Sequence, residues 1–127
     1  MTLIELSVIV VVSLTLLGMV FIGVRSWKRG ADRVSCVMNI YQTQMAVRSL
    51  ANMSGLAPGT DTASLRNPID VKAQLVGTGG YLPVEPKCPG SGTYQFGGNK
   101  IPRRGELYLS CSLAEAGQHV PNDYQTW

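Results

Sequence analysis

The sequence predicts an α+β chain: one long N-terminal α-helix, apolar in its first half and amphipathic in its second, followed by a small C-terminal domain with a short helix and an antiparallel β-hairpin. Three observations carry that prediction. Residues 2–54 contain no proline, so nothing in them forces a helix to break. No charged residue occurs from Leu6 to Val24, a run of 19 residues; as a helix it is roughly 28 Å long, close to the hydrocarbon thickness of a bilayer. From residue 56 onward Pro, Gly and short alternating runs take over, which is the signature of turns and strands.

The chain therefore divides into an apolar membrane-length helix at 1–24, an amphipathic continuation at 25–55 and a small globular domain at 56–127. Glu5 is the one charge of the first segment, and an acid at the edge of an apolar run calls for a positive partner. An α-amino group at Met1, its own or a neighbour's, is the nearest candidate. Next comes a collar of Arg25, Lys28 and Arg29 around Trp27. It reads as a solvated stop against further insertion into lipid, with Trp27 as an interfacial anchor; pairing with neighbouring acids or anionic headgroups is the other reading. Gly18, Gly23 and the β-branched stretch 8–12 weaken the helix locally.

In the second segment two apolar stripes emerge. Val34, Val37, Met38, Tyr41 and Met45 share one face, and Cys36, Ile40, Val47 and Leu50 form a more lateral one. Two stripes imply two packing partners, the chain's own domain and something else. Gly55 is the expected stop. Residues 56–66 read as an exposed loop. Asn67-Pro68-Ile69-Asp70 looks like a helix start, with Asn67 as cap and Pro68 in the first turn, and that helix should reach about Val76. Gly92–Phe96 and Glu106–Ser110 are the two expected strands, and the tail 112–127 has no clear pattern beyond His119, Tyr124 and Trp127, which can fold back on the sheet.

Composition bounds the chemistry. The net charge of +3 over 127 residues is concentrated at 25–55, where five cations face one acid, whereas 56–127 balances six against six. That is a collar and not a nucleic-acid-binding face. Lys100, Arg103 and Arg104, near Tyr94, Phe96 and Tyr108, form a small basic patch that reads first as a solvated hairpin tip and second as a contact for DNA. The single histidine lies in the tail, the carboxylates are scattered, and no metal-ligand spacing is present. The expectation is accordingly no catalytic residue, no metal and no cofactor. Cys88 and Cys111 flank the hairpin, and a bridge between them would close a loop of about 24 residues, worth roughly 3 kcal/mol; the alternative leaves all three cysteines reduced. Cys36 falls mid-helix as a buried free thiol. Asn52-Met53-Ser54 is an N-glycosylation sequon at a helix end, and Thr60, Thr62 and Ser64 form a hydroxyl cluster open to O-linked sugar.

Met-Thr-Leu-Ile-Glu-Leu at 1–6, followed by the apolar run, resembles the N-terminus of type IV pilins and type II secretion pseudopilins. Cys88-Pro89-Gly90-Ser91-Gly92-Thr93-Tyr94 with Leu109-Ser110-Cys111-Ser112 is similar to short pilin-like proteins carrying a Cys-Pro-x-Gly-Gly-x-Tyr element. The resemblance implies a mature chain from which a prepilin peptidase has removed a short basic leader, leaving an N-methylated Met1 and Glu5 at the family's fifth position. It implies a homopolymer: a monomer held in the inner membrane, then, with the pilus assembly machinery, an extracellular filament in which Glu5 meets the amine of a neighbour's Met1. Ile22 stands where many members have proline, so local melting of the helix would centre near Gly18, with Gly23 the second weak point; a continuous helix is the alternative. A minor or secretion-system pseudopilin and a single-pass anchored binding module are the competing readings.

Overall fold

The structure is a computed structural model that describes residues 2–127. A 51-residue helix, α1 (Leu3–Met53), comes first, followed by a 3-10 turn at Thr62–Ser64, a short helix α2 (Val71–Leu75), strands β1 (Tyr94–Phe96) and β2 (Leu109–Cys111), and a final 3-10 turn at Tyr124–Thr126. The α+β class is the one the sequence predicts. The chain falls into two units, Met1–Ala31 and Asp32–Trp127, and the second takes in the amphipathic part of α1 together with everything that follows.

In the first unit every described side chain is exposed. The helix is long and apolar enough to cross a membrane, and it is α-helical through both Gly18 and Gly23. Its hydroxyl groups turn back on the helix itself: Ser7, Ser13 and Thr15 each donate to a carbonyl three or four residues earlier at 2.8 Å. Polar side chains in an apolar helix are tolerated in this way, because their hydrogen bonds need no water.

The second unit has its core on the lateral stripe of α1. Cys36, Ile40, Thr43, Gln44, Ala46, Val47, Leu50 and Ala51 are buried, at the three- and four-residue spacing of one helix face. The other stripe is open, with Val34 65% and Met38 51% exposed; Tyr41 packs its ring edge-on against Trp127, centroids 5.0 Å apart. One part of the core joins Val47, Leu50 and Ala51 to Val71, Leu75, Ile101 and Tyr108. The other joins Cys36 and Ile40 to Cys88, Leu109 and Cys111, with Trp127 against it, so the patternless tail does fold back.

Gln44 ties the helix to the sheet. Its amide nitrogen donates to the Glu106 carbonyl at 2.9 Å, and its amide oxygen accepts from the Tyr108 N–H at 2.9 Å. This pair of bonds mimics a strand neighbour, which lets a glutamine be fully buried at low cost.

Two local expectations move. α2 begins at Val71 with Asp70 as its cap, the carboxylate accepting from the Ala73 N–H at 3.2 Å, not at Pro68 behind Asn67. The reason lies in Thr62, whose hydroxyl sits 2.6 Å from the Ile69 carbonyl while the Ile69 N–H donates to the Thr62 carbonyl; residues 67–69 are thereby held out of the helix. The hairpin pairs Tyr94 with Cys111, Gln95 with Ser110 and Phe96 with Leu109. Its strands are shorter than the alternating runs, and the second starts three residues later, because the backbone at Glu106 and Tyr108 is claimed by Gln44.

Candidate functional site

Two places in the molecule carry chemistry. At the start of α1, the Glu5 carboxylate accepts from the Thr2 N–H at 3.1 Å and from the Thr2 hydroxyl at 3.2 Å. This is one arm of a capping box, Thr-x-x-Glu, which satisfies donors that a helix start leaves free. The four residues were legible as such in the sequence and went unread. Met1, the expected partner of Glu5, lies outside the described residues. Arg25, Lys28 and Arg29 are exposed, as is Trp27 at 77%.

The second place is buried in the globular unit. Cys36 comes from α1, Cys88 from the turn before β1, Cys111 from the end of β2 and His119 from the tail. All four are buried, and their ligand atoms lie within 4.8 Å of one another. The Cys88 and Cys111 sulfurs are 3.8 Å apart, and Cys88 Sγ is 3.4 Å from His119 Nδ1. All three cysteines are free thiols. Cys88 and Cys111 are thus brought together as the sequence suggests, but as one edge of a four-membered cluster that also contains Cys36 and His119.

The surroundings are shaped around these groups. A Cβ on Gly90 would sit 2.8 Å from His119 Cε1, one on Gly117 would sit 2.9 Å from His119 Cδ2, and one on Gly92 would sit 2.8 Å from Cys111 Sγ. Only glycine lets the backbone pass so near. Ser91 and Gln118, the non-glycine residues with positive φ among the described residues, stand beside Cys88 and His119, so both local turns are bent toward the cluster at some backbone cost. The Tyr94 hydroxyl reaches Cys36 Sγ at 3.2 Å and is itself held by Asn39 at 3.2 Å.

The thiols differ in character. Burial pushes Cys36 up to about 12. Burial also acts on Cys88, but the backbone N–H groups of Gly92 and Gly90 and the neighbouring thiols outweigh it, and Cys88 is lowered. Burial, reinforced by Cys36, raises the Tyr94 phenol. Three thiols and an imidazole this close together are a donor set of the kind that can hold a metal ion.

Other expected sites are placed differently from their reading. Thr62 is fully buried, its hydroxyl engaged with Ile69 and Asn99, so it belongs to the fold and not to an open cluster for O-linked sugar. Ser64 and Asn52 are exposed, and Thr60 is half-buried. Lys100, Arg103 and Arg104 are exposed, but Tyr108 is buried and Phe96 is sandwiched between Tyr108 and the Lys72 ammonium. Tyr108 and Phe96 are thus engaged within the fold and not open faces beside the patch.

No spacing in the sequence announces the Cys36, Cys88, Cys111 and His119 cluster, because its members are far apart in the chain. The signal available was an odd cysteine on the helix stripe that faces the domain, together with a Gly-rich turn after Cys88. Comparison of the chain with protein-family models, with curated proteins and with solved structures gives no match. The long apolar N-terminal helix with a small hairpin domain is compatible with a pilin-like architecture, and the helix is consistent with membrane anchoring.

Proposed function

We propose that the chain is the structural subunit of a type IV pilus-like extracellular helical filament. Before assembly the apolar part of α1 sits in the inner membrane; on assembly it moves into a bundle of identical helices. The observation that supports this reading is the lone carboxylate of Glu5 at the head of an apolar surface left fully uncovered from Leu6 to Val24. Such a surface needs an apolar environment along its whole length, and either lipid or other copies of the helix supply one. Among the described residues of the single chain Glu5 is held by Thr2. In a bundle it exchanges part of that capping for the ammonium of a neighbour's Met1. A head-to-tail contact repeated without closure gives a filament, and the buried ion pair sets the register more than it adds net stability. The open stripe of Val34 and Met38 supplies a second contact between subunits.

The experiment is to replace Glu5 by Gln in producing cells. Leaving a buried ammonium unpaired costs about 3–5 kcal/mol, so Glu5→Gln should abolish filaments while the folded chain stays in the membrane. Mass spectrometry of wild-type filaments should find this chain as the bulk subunit with an N-methylated Met1. Normal filaments from the Gln variant reject the pairing. Trace amounts of the chain within a filament built from another protein point instead to a minor or secretion-system pseudopilin.

A further inference from the structure

We infer that Cys36, Cys88, Cys111 and His119 form a structural zinc site that pins four separate stretches of the globular unit to one point. The donor geometry carries the inference. Tetrahedral zinc with Zn–S bonds of about 2.3 Å and Zn–N bonds of about 2.05 Å sets neighbouring sulfurs about 3.8 Å apart and sulfur and nitrogen about 3.6 Å apart. Cys88 to Cys111 is 3.8 Å and Cys88 to His119 Nδ1 is 3.4 Å, and every pair in the set lies within 4.8 Å, so small side-chain movements complete the tetrahedron. A Cys88–Cys111 disulfide needs the sulfurs at about 2.05 Å and gives no role to Cys36 and His119, which enter the same pocket from α1 and from the tail.

Three further features fit a metal. The set supplies four ligands and all are buried, which is the closed arrangement of structural sites; catalytic zinc keeps a position open. Three thiolates and one dication leave a net negative charge, and a donor is already aimed at one sulfur, the Tyr94 hydroxyl at Cys36. Such outer contacts are what hold and tune metal ligands. The imidazole is wedged between Gly90 and Gly117, so its Nδ1 is fixed toward the sulfurs. On binding, each thiol releases its proton to solvent and the histidine binds as the neutral ring. A domain this small, with a thin core, gains from such a staple.

The test uses the full chain in detergent micelles. Elemental analysis of chain purified from producing cells should find about one zinc per chain, and X-ray absorption at the zinc edge should show three sulfurs at about 2.3 Å and one nitrogen at about 2.0 Å. After reduction and removal of metal, Co2+ alone should produce the visible absorption of a tetrahedral thiolate site. Cys36→Ser should lose stoichiometric binding, whereas a Cys88–Cys111 disulfide would not depend on Cys36. His119→Cys should keep the metal and convert the shell to four sulfurs, an outcome that a merely packing histidine does not produce and that does not require the site to tolerate a gap. Tyr94→Phe should weaken affinity about 10–100-fold. A native chain with a Cys88–Cys111 disulfide and no zinc, a native chain carrying iron or copper in its place, or a reduced chain that takes up no Co2+ overturns the inference.

Discussion

The apolar N-terminal unit and the globular unit meet their needs in opposite ways. In residues 2–31 the polar groups are satisfied locally, Glu5 by Thr2 and the hydroxyls of Ser7, Ser13 and Thr15 by carbonyls within one turn, while no apolar side chain is covered. In residues 32–127 a buried core of apolar side chains forms, and its polar groups find partners over long distances in sequence: Gln44 with Glu106 and Tyr108, Thr62 with Asn99, Tyr94 with Cys36; Arg48, with Nε and one Nη buried and unpaired among the described residues, is an exception. A segment that needs only an apolar surround is ready for lipid or for copies of itself. A segment in which buried groups such as Gln44 and Thr62 are matched to particular distant partners is specified from within.

The same substitution placed in each unit makes the sharpest test. Leu109 is fully buried and Leu14 is 63% exposed. Leu109→Ala should destabilise the globular unit by about 2–5 kcal/mol, a fall in its melting temperature on the order of 10–30 °C for a domain of this size. Leu14→Ala should leave that temperature within the range of ordinary surface changes, about 0.5 kcal/mol, and alter only membrane retention or filament yield. Trp127 fluorescence in a Trp27→Phe background reports the globular unit alone, because Trp127 packs on its core and Trp27 does not. Equal shifts from the two leucines would show that the units are not energetically distinct.

This contrast also explains what could be read in advance. Residues that act through their immediate neighbours were legible: the proline-free helix, the apolar run, the collar at Arg25–Arg29, the antiparallel pairing of two alternating strands. Residues whose role depends on a distant partner were not. Asn67-Pro68 is a good local cap, yet Thr62 holds Ile69 extended and the cap passes to Asp70. Thr62 itself looked like a loop hydroxyl and is a core residue. Of the two stripes on α1, the lateral one, with Cys36 in it, turned out to be the buried one, since Gln44 and Thr43 join it on the face that meets the sheet. That choice placed the third sulfur beside Cys88 and Cys111, and no spacing rule reaches from residue 36 to residue 119.

Gln44 tests the long-range polar logic at intermediate size. Gln44→Leu keeps most of the side-chain volume and leaves the Glu106 carbonyl and the Tyr108 N–H without partners. The buried Tyr108 N–H costs about 1–3 kcal/mol and the part-buried Glu106 carbonyl about 1 kcal/mol, so the variant should lose about 2–4 kcal/mol by chemical denaturation. Amide hydrogen exchange at Tyr108 should rise more than at Leu75, which lies in the same core but shares no hydrogen bond with Gln44. Gln44→Glu is the complement: it keeps the acceptor for Tyr108, removes the donor to Glu106 and adds a buried charge, so it should be at least as damaging.

Lys72 marks the small end of the scale. Its ammonium lies 2.9 Å from the Glu85 carboxylate and 4.4 Å from the centre of the Phe96 ring. Both side chains of the ion pair are nearly half exposed, so solvent screens the pair and its share is below about 1 kcal/mol. The contact with Phe96 adds a comparable amount, about 0.5–1 kcal/mol at an exposed site. Lys72→Met removes the charge but keeps an unbranched apolar chain to lie on the ring. If charge governs, the wild type should lose its advantage over Lys72→Met as salt is raised past the point where the Debye length falls to a few ångströms, near 1 M. If the stem's packing on Phe96 governs, the two proteins should melt alike at every salt concentration, and Lys72→Ala alone should fall below them. Either result separates a screened surface charge from cover over the Phe96 ring, which packs edge-on against Tyr108.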